Sequence, residues 1–105
     1  MGGKNAAVVL DDADVTLAVE QVMLGAFRST GQKCTATSRL IVTTGIAEQF
    51  LGELLDRVAA LRVGDPTDDT TQMGPVISDS ARTSITSGIN TATRQGATVL
   101  AGGVP

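Results

Sequence analysis

The stretch of the sequence best suited to chemistry is RSTGQKCTATSR, residues 28–39, which contains the only cysteine, Cys34. A cysteine acts as a nucleophile through its thiolate, and polar neighbours with a nearby cation favour that form. Here Gly31 allows the backbone to turn sharply, and Lys33 places a positive charge beside the thiol. A buried, inert side chain is the ordinary alternative for a free cysteine, and the residues alone leave both interpretations open.

The composition limits the groups that could assist Cys34. The chain has no histidine, so any general base must be a carboxylate, a water or a group on another segment. One cysteine forms no internal disulfide, and a zinc site needs ligands that the composition lacks. The acidic run DDAD, residues 11–14, is explained more simply as a helix cap than as a cluster of metal ligands. We therefore expect no metal site.

Length and charge narrow the class of protein. A chain of 105 residues with 42% hydrophobic residues is typical of one globular domain, residues 1–105, and cytoplasmic location is the default expectation. Its 8 basic and 11 acidic side chains are scattered, and it has no tryptophan or tyrosine for base stacking, so nucleic acid is not an expected partner. No apolar run approaches membrane-spanning length, so a membrane is not an expected partner either.

The hydrophobic pattern alternates between the period of a strand and the period of a helix. In chain order it predicts a strand at 5–10, a helix at 15–27, a strand at 39–44, a helix at 46–61, a loop at 63–75, a helix at 79–95, and a strand with a glycine turn at 97–103. This order is typical of an α/β protein with a largely parallel sheet flanked by helices.

A set of short motifs, taken in order and with their spacing, resembles the aldehyde dehydrogenase superfamily. The motifs are GGKN at 2–5, DDAD at 11–14, GQKC at 31–34 followed by TSR, LRVGDP at 61–66, MGP at 73–75 and GATVLAGG at 96–103. The resemblance extends over the full chain and implies part of the catalytic domain of that fold. The stretch GQKCTATSR further resembles bacterial members that act on semialdehydes from sugar-acid breakdown.

The resemblance implies a role for Cys34. The cysteine of the family's motif is the nucleophile, so Cys34 would attack a small-molecule aldehyde to give a thiohemiacetal. Hydride transfer to NAD or NADP would leave a thioester, which water would hydrolyse. The backbone N–H of Cys34 would donate to the developing oxyanion, together with a side-chain amide from another segment.

The resemblance also implies where the cofactor would approach. Met1 and Gly2 occupy positions whose backbone lies close to the nicotinamide in the family, and both are candidate cofactor-binding residues. The general-base glutamate, the oxyanion amide and the dinucleotide-binding region of the family would fall outside residues 1–105. We therefore expect a partial catalytic domain that bears the nucleophile, is inactive alone and forms homo-oligomers.

Two other functions remain compatible with the residues. A non-catalytic α/β interaction module would have a packed thiol, and it predicts a stable monomer whose Cys34 resists alkylation. A cysteine-dependent hydrolase would act on esters or thioesters through an acyl-Cys34 without a nucleotide cofactor. The ordered motifs favour the aldehyde dehydrogenase resemblance over both.

Overall fold

The computed structural model describes residues 2–104. The chain divides into two compact units, Met1–Pro75 and Val76–Pro105. Over the described residues, the first unit contains a pair of strands and two α-helices, and the second contains one α-helix. The predicted α/β class with parallel strands and flanking helices is confirmed.

A parallel pair of strands forms the centre of the first unit. Strand β1 (Asn5–Val9) lies beside strand β2 (Thr37–Val42), and the register is interrupted between Asn5 and Ala6. Both strands were predicted, although β2 begins two residues earlier than the pattern indicated. The irregular register at the start of β1 matters for the site, because Asn5 lies there.

Two helices cover one face of this sheet. Helix α1 (Val15–Phe27) begins after Asp14, whose carboxylate accepts a hydrogen bond of 3.0 Å from the backbone N–H of Leu17. That bond satisfies one of the N–H groups left without a partner in the first turn, as predicted from the acidic run. Helix α2 (Thr44–Ala59) follows β2 after a single residue.

The core lies between the sheet and these helices. Its buried members are aliphatic apart from one aromatic ring: Val9, Val19, Val22, Ile46 and Phe50. The opposite side of the sheet, which we call the outer face, carries the directly paired Val8 and Ile41. These two side chains are 61% and 53% exposed. Among the described residues, burial is therefore confined to one side of the sheet.

The 63–75 segment is irregular, as its composition predicted. Asp65 begins a turn in which its carboxylate accepts hydrogen bonds from both the backbone N–H and the hydroxyl of Thr67. An isolated bridge joins Val63 to Met73 and closes the segment into a loop.

The second unit contains helix α3 (Asp79–Arg94), which begins after Ser78. The Ser78 hydroxyl accepts a 3.1 Å hydrogen bond from the N–H of Ala81 and so caps the helix. No side chain of α3 is buried.

The strand predicted at 97–103 is wrong. The backbone from 97 to 104 has no strand partner among residues 2–104. Without a partner for its N–H and C=O groups, an apolar run of this length does not form a strand. Gly102 and Gly103 do have positive φ angles, 68° and 82°, so the predicted glycine turn is present.

Between residues 2 and 104, no helix is both long and apolar enough to cross a lipid bilayer.

Candidate active site

Cys34 lies on the surface, in a tight turn that leads into β2. The turn runs from Lys33 to Ala36 and is closed by a 3.1 Å hydrogen bond from the N–H of Ala36 to the carbonyl of Lys33. Cys34 occupies the second of its four positions. An exposed thiol contradicts the interpretation of Cys34 as a packed core residue.

The segment before this turn has an unusual backbone. After α1, a short 3₁₀ turn (Arg28–Gly31) contains three consecutive left-handed residues: Ser29, Thr30 and Gly31, with φ angles of 54°, 58° and 68°. Each non-glycine residue in that region costs about 1–3 kcal/mol, which surrounding contacts must offset. One such contact is a 3.0 Å hydrogen bond from the Thr30 hydroxyl to the carbonyl of Gly74.

A side-chain amide from β1 holds the turn in place. The Nδ2 of Asn5 donates to the carbonyl of Cys34 at 2.5 Å and lies 3.4 Å from the carbonyl of Ala36. Sequence reasoning missed this role, because Asn5 and Cys34 are 29 positions apart and meet only when the strands pair. No local signal in GGKN indicates it.

An open cleft of about 390 Å³ lies beside the thiol. Residues 2–4 form one part of its wall, and the residues between Gly31 and Ser38 other than Thr35, including Cys34, form the other. The structure thus brings the predicted Gly2 and Cys34 to one cleft. Met1, the other predicted cofactor residue, lies outside the described residues.

The two glycines of this wall have different surroundings. A Cβ atom built on Gly3 would lie 3.2 Å from the carbonyl oxygen of Cys34, so the two backbones approach closely. A Cβ atom built on Gly2 would have no heavy atom within 4 Å. Gly3 therefore packs against the turn, and Gly2 lies beside open space in the cleft.

Basic side chains also lie around the cleft. Lys4 and Lys33 are among its lining residues. The Nε of Arg39 donates a 2.8 Å hydrogen bond to the carbonyl of Lys4, so Arg39 holds the segment that precedes β1 and carries the two glycines.

The backbone N–H of Cys34 accompanies the thiol. Among residues 2–104 no acceptor binds this N–H, and the bond that closes the turn comes from the N–H of Ala36. A nucleophilic sulfur and an N–H donor therefore belong to one residue at a cleft. Such a pair can attack a carbonyl carbon and stabilise the oxyanion that results.

The two carboxylates with shifted pKa values, Asp65 and Asp68, lie away from the Cys34 cleft. Hydrogen bonds from the side chain and backbone of Thr67 lower the pKa of Asp65 below its ordinary value of 3.8, and Thr70 does the same for Asp68. Both acids are in the 63–75 loop, and neither lines the Cys34 cleft. Their shifts reflect turn formation, so they do not mark the site of chemistry.

A second cavity, of about 210 Å³, lies at the carboxyl ends of α1 and α2. Its lining includes Phe27, Leu61 and Gln72, and it shares no residue with the Cys34 cleft. No cysteine, serine or threonine is among its lining residues. Within the part of the chain described, no three histidine, cysteine or acidic side chains form a group that could hold a metal ion.

The known proteins that are similar to this chain are named as dehydrogenases of aldehydes or semialdehydes. The chain is 48% identical over 103 residues to alpha-ketoglutaric semialdehyde dehydrogenase of Bacillus subtilis (strain 168), covering 98% of this chain and 21% of that protein. It is 44% identical to betaine aldehyde dehydrogenase of Brucella ovis, with the same coverage. The chain thus spans about a fifth of the length of these relatives.

Solved structures agree with these sequence matches. A 1.85 Å crystal structure of betaine aldehyde dehydrogenase from Staphylococcus aureus in complex with NAD+ superimposes with a TM-score of 0.96 at 43% identity. The match covers 98% of this chain and 20% of that one. A point mutant of the same enzyme, with a TM-score of 0.95, contains both NAD+ and a BME-modified cysteine.

The family comparison extends over the chain from end to end. The family model described as "Aldehyde dehydrogenase family" matches residues 1–105. Together with the exposed cysteine at a cleft, this match identifies the chain as belonging to the aldehyde dehydrogenase family.

Proposed function

We propose that this chain is the nucleophile-bearing part of an NAD(P)-dependent aldehyde dehydrogenase and that Cys34 is its nucleophile. The observation that carries the proposal is that Cys34 is exposed in its turn and that the backbone N–H of Cys34 has no acceptor among residues 2–104. The Cys34 sulfur, as thiolate, forms a bond to the aldehyde carbon while the carbonyl π electrons move to oxygen. The Cys34 N–H donates to that oxygen, which is the place where negative charge develops.

The remaining steps regenerate the thiol. The nicotinamide of NAD or NADP, when bound, accepts the hydride that leaves the tetrahedral carbon. As the hydride leaves, the electron pair of the oxyanion re-forms the C=O bond, which leaves a thioester on Cys34. Water adds to the thioester carbon and loses a proton to solvent or to a general base, the carbon–sulfur bond breaks, and the products are a carboxylic acid and the thiolate of Cys34, which is ready for the next turnover.

The open space at Gly2 would allow the flat nicotinamide ring to approach the carbon bound to Cys34. Gly2 lines the cleft together with Cys34, and the space where its side chain would be is open. We assign Gly2 to the nicotinamide-facing wall of the cleft, and the family resemblance makes Met1 a second candidate cofactor-binding residue. The NAD+ complex of the Staphylococcus aureus relative supports NAD as one candidate cofactor.

The proposal covers residues 1–105 as one portion of a catalytic domain. Hydrolysis of a thioester needs a general base, and the described lining of the cleft consists of small, amide, hydroxyl and lysine side chains beside the thiol. We therefore propose that the 105-residue chain forms an adduct with an aldehyde but does not turn it over. The names of the relatives support a small aldehyde as substrate, and cytoplasmic location remains a prediction.

A graft tests the role of Cys34. The matched segment of the Staphylococcus aureus enzyme is replaced by this chain, which the TM-score of 0.96 favours. We expect the graft to oxidise betaine aldehyde with reduction of NAD+, and Cys34→Ser to lower kcat at least about a thousandfold because the nucleophile is lost. The measurement is the initial rate of nicotinamide reduction.

Thr35→Ser in the same graft is the control, since it changes a neighbouring hydroxyl residue of the turn and leaves the thiol. Retained NAD+ binding shows that the Cys34→Ser graft is folded. If the folded Cys34→Ser graft oxidises the aldehyde at the rate of the unmodified graft, Cys34 is not the nucleophile.

A further inference from the structure

We propose that Asn5 is a positioning residue for Cys34: its side-chain amide holds the nucleophile turn in the shape that leaves the Cys34 N–H available to an oxyanion. The inference rests on the proposed function of Cys34, whereas the hydrogen bond between the Asn5 amide and the Cys34 carbonyl is observed independently of that function. Asn5 lies at the start of β1, where the register with β2 is interrupted. Its amide spans from that strand to the turn.

The orientation of the Asn5 amide follows from its neighbours. The two groups that face it are the carbonyl oxygens of Cys34 and Ala36, at 2.5 Å and 3.4 Å. Carbonyl oxygens only accept hydrogen bonds, so the amide nitrogen, with its two N–H donors, must be the atom that faces them. The oxygen of the amide cannot take this place without repulsion.

These contacts fix the direction of the peptide group that follows Cys34. Once its carbonyl points to Asn5, the shape of the turn is determined from both sides, because the Ala36 N–H is already bonded to Lys33. In this shape the Cys34 N–H is not used within residues 2–104. Asn5 therefore acts on the reaction through the backbone and does not need to touch the substrate.

Gly3 supports the same arrangement from the other side. The Cβ position of Gly3 lies 3.2 Å from the Cys34 carbonyl oxygen and 3.4 Å from the Nδ2 of Asn5. A side chain at Gly3 would press on both members of this hydrogen bond. The absence of a side chain there lets the strand approach the turn closely enough for the amide to reach.

The test uses the isosteric variant Asn5→Asp, which replaces the donor nitrogen by a carboxylate oxygen of the same size. The control is Asn90→Asp, which makes the same change at the only other asparagine. Asn90 is an exposed residue of α3, and its side chain has no hydrogen bond within residues 2–104. Asn5→Ser is a conservative variant that keeps one donor.

The first readout is nuclear magnetic resonance of the 105-residue chain. We expect a scalar coupling across the hydrogen bond from the Asn5 amide nitrogen to the Cys34 carbonyl carbon. In Asn5→Asp the Cys34 carbonyl resonance shifts, and exchange of the Ala36 N–H accelerates about tenfold or more because the turn opens locally. Asn90→Asp changes neither quantity. A Cys34 carbonyl resonance and an Ala36 exchange rate that stay the same in Asn5→Asp overturn the proposal.

The second readout is kinetic and uses the graft into the Staphylococcus aureus enzyme. A misplaced hydrogen-bond donor stabilises the transition state less but changes binding of the ground state little. We therefore expect Asn5→Asp to lower kcat about 10- to 100-fold with little change in KM. Asn5→Ser should restore part of the lost kcat. An Asn5→Asp graft with unchanged kcat also overturns the positioning role. Failure of the proposed function is distinguishable, since it appears as a Cys34→Ser graft that keeps its activity.

Discussion

The carboxylates of Asp65 and Asp68 each hold a turn in the 63–75 loop. Each accepts hydrogen bonds from the backbone and hydroxyl of a threonine two positions later, at 2.7 to 2.8 Å. A carboxylate accepts such bonds best when it is ionised, which is why both pKa values are lowered. These bonds define the shape of the loop between α2 and α3.

We expect the turns at Asp65 and Asp68 to open in acid. Because their folded-state pKa values lie below 3.8, the stabilisation is complete above that pH and is lost as pH falls through the lowered values. The amide resonances of Thr67 and Thr70, followed from about pH 6 to about pH 2, should shift with midpoints below 3.8. Asp69→Asn is the control, since Asp69 makes neither bond, and a midpoint at or above 3.8 for Thr67 would contradict the prediction.

At the scale of single residues, sequence reasoning located the thiol but not what holds it. Cys34 was recognisable because residue type, polar neighbours and Gly31 all lie within one short stretch. Asn5 was not recognisable, since its partners are 29 and 31 positions away and depend on strand register. The left-handed Ser29 and Thr30 were also missed, because neither residue type favours that backbone region.

At the scale of elements, the helix ends that depend on nearby residues lie where the sequence predicted them. Helix α1 begins after the capping Asp14 and ends before Gly31, and α3 begins after the capping Ser78. The predicted strand at 97–103 failed because a strand depends on a partner elsewhere in the structure. Caps and glycines are local signals, whereas strand pairing is not.

We expect Asp14→Ala to destabilise the first unit by about 1 kcal/mol, because the N–H of Leu17 loses its acceptor at the start of α1. The measurement is the free energy of unfolding from denaturant titration followed by circular dichroism. The control Asp12→Ala removes another exposed carboxylate, which has no hydrogen bond within the described residues. It should change the free energy of unfolding by only about a few tenths of a kcal/mol. Equal losses for the two variants would contradict the capping role.

At the scale of the whole molecule, the sheet has two uncovered features. The strand pair has an unpaired edge on each side within residues 2–104, and its outer face carries Val8 and Ile41. Parallel sheets are normally covered on both faces. Exposed edges and apolar faces favour association with other chains, which agrees with the expectation of homo-oligomers.

We expect the chain to self-associate through the outer face. Val8→Lys should shift the association to higher protein concentration, because a charge would then be buried in the contact. The measurement is light scattering over about a hundredfold range of concentration. Val63→Lys is a matched control, since Val63 is 62% exposed against 61% for Val8 but lies in the loop. A monomer of the unmodified chain at every concentration would contradict the prediction.

The parallel pairing of β1 and β2 also determines when the Cys34 cleft comes into existence during folding. Asn5 is opposite Thr37 in the sheet, so no short hairpin can bring the two walls of the cleft together early. The chain must first close a loop that contains all of α1, and such non-local contacts form slowly relative to local helices. The cleft should therefore appear in the same kinetic phase as the sheet, after α1 has formed, and a nascent chain cannot present the nucleophile turn before β2 has been synthesised.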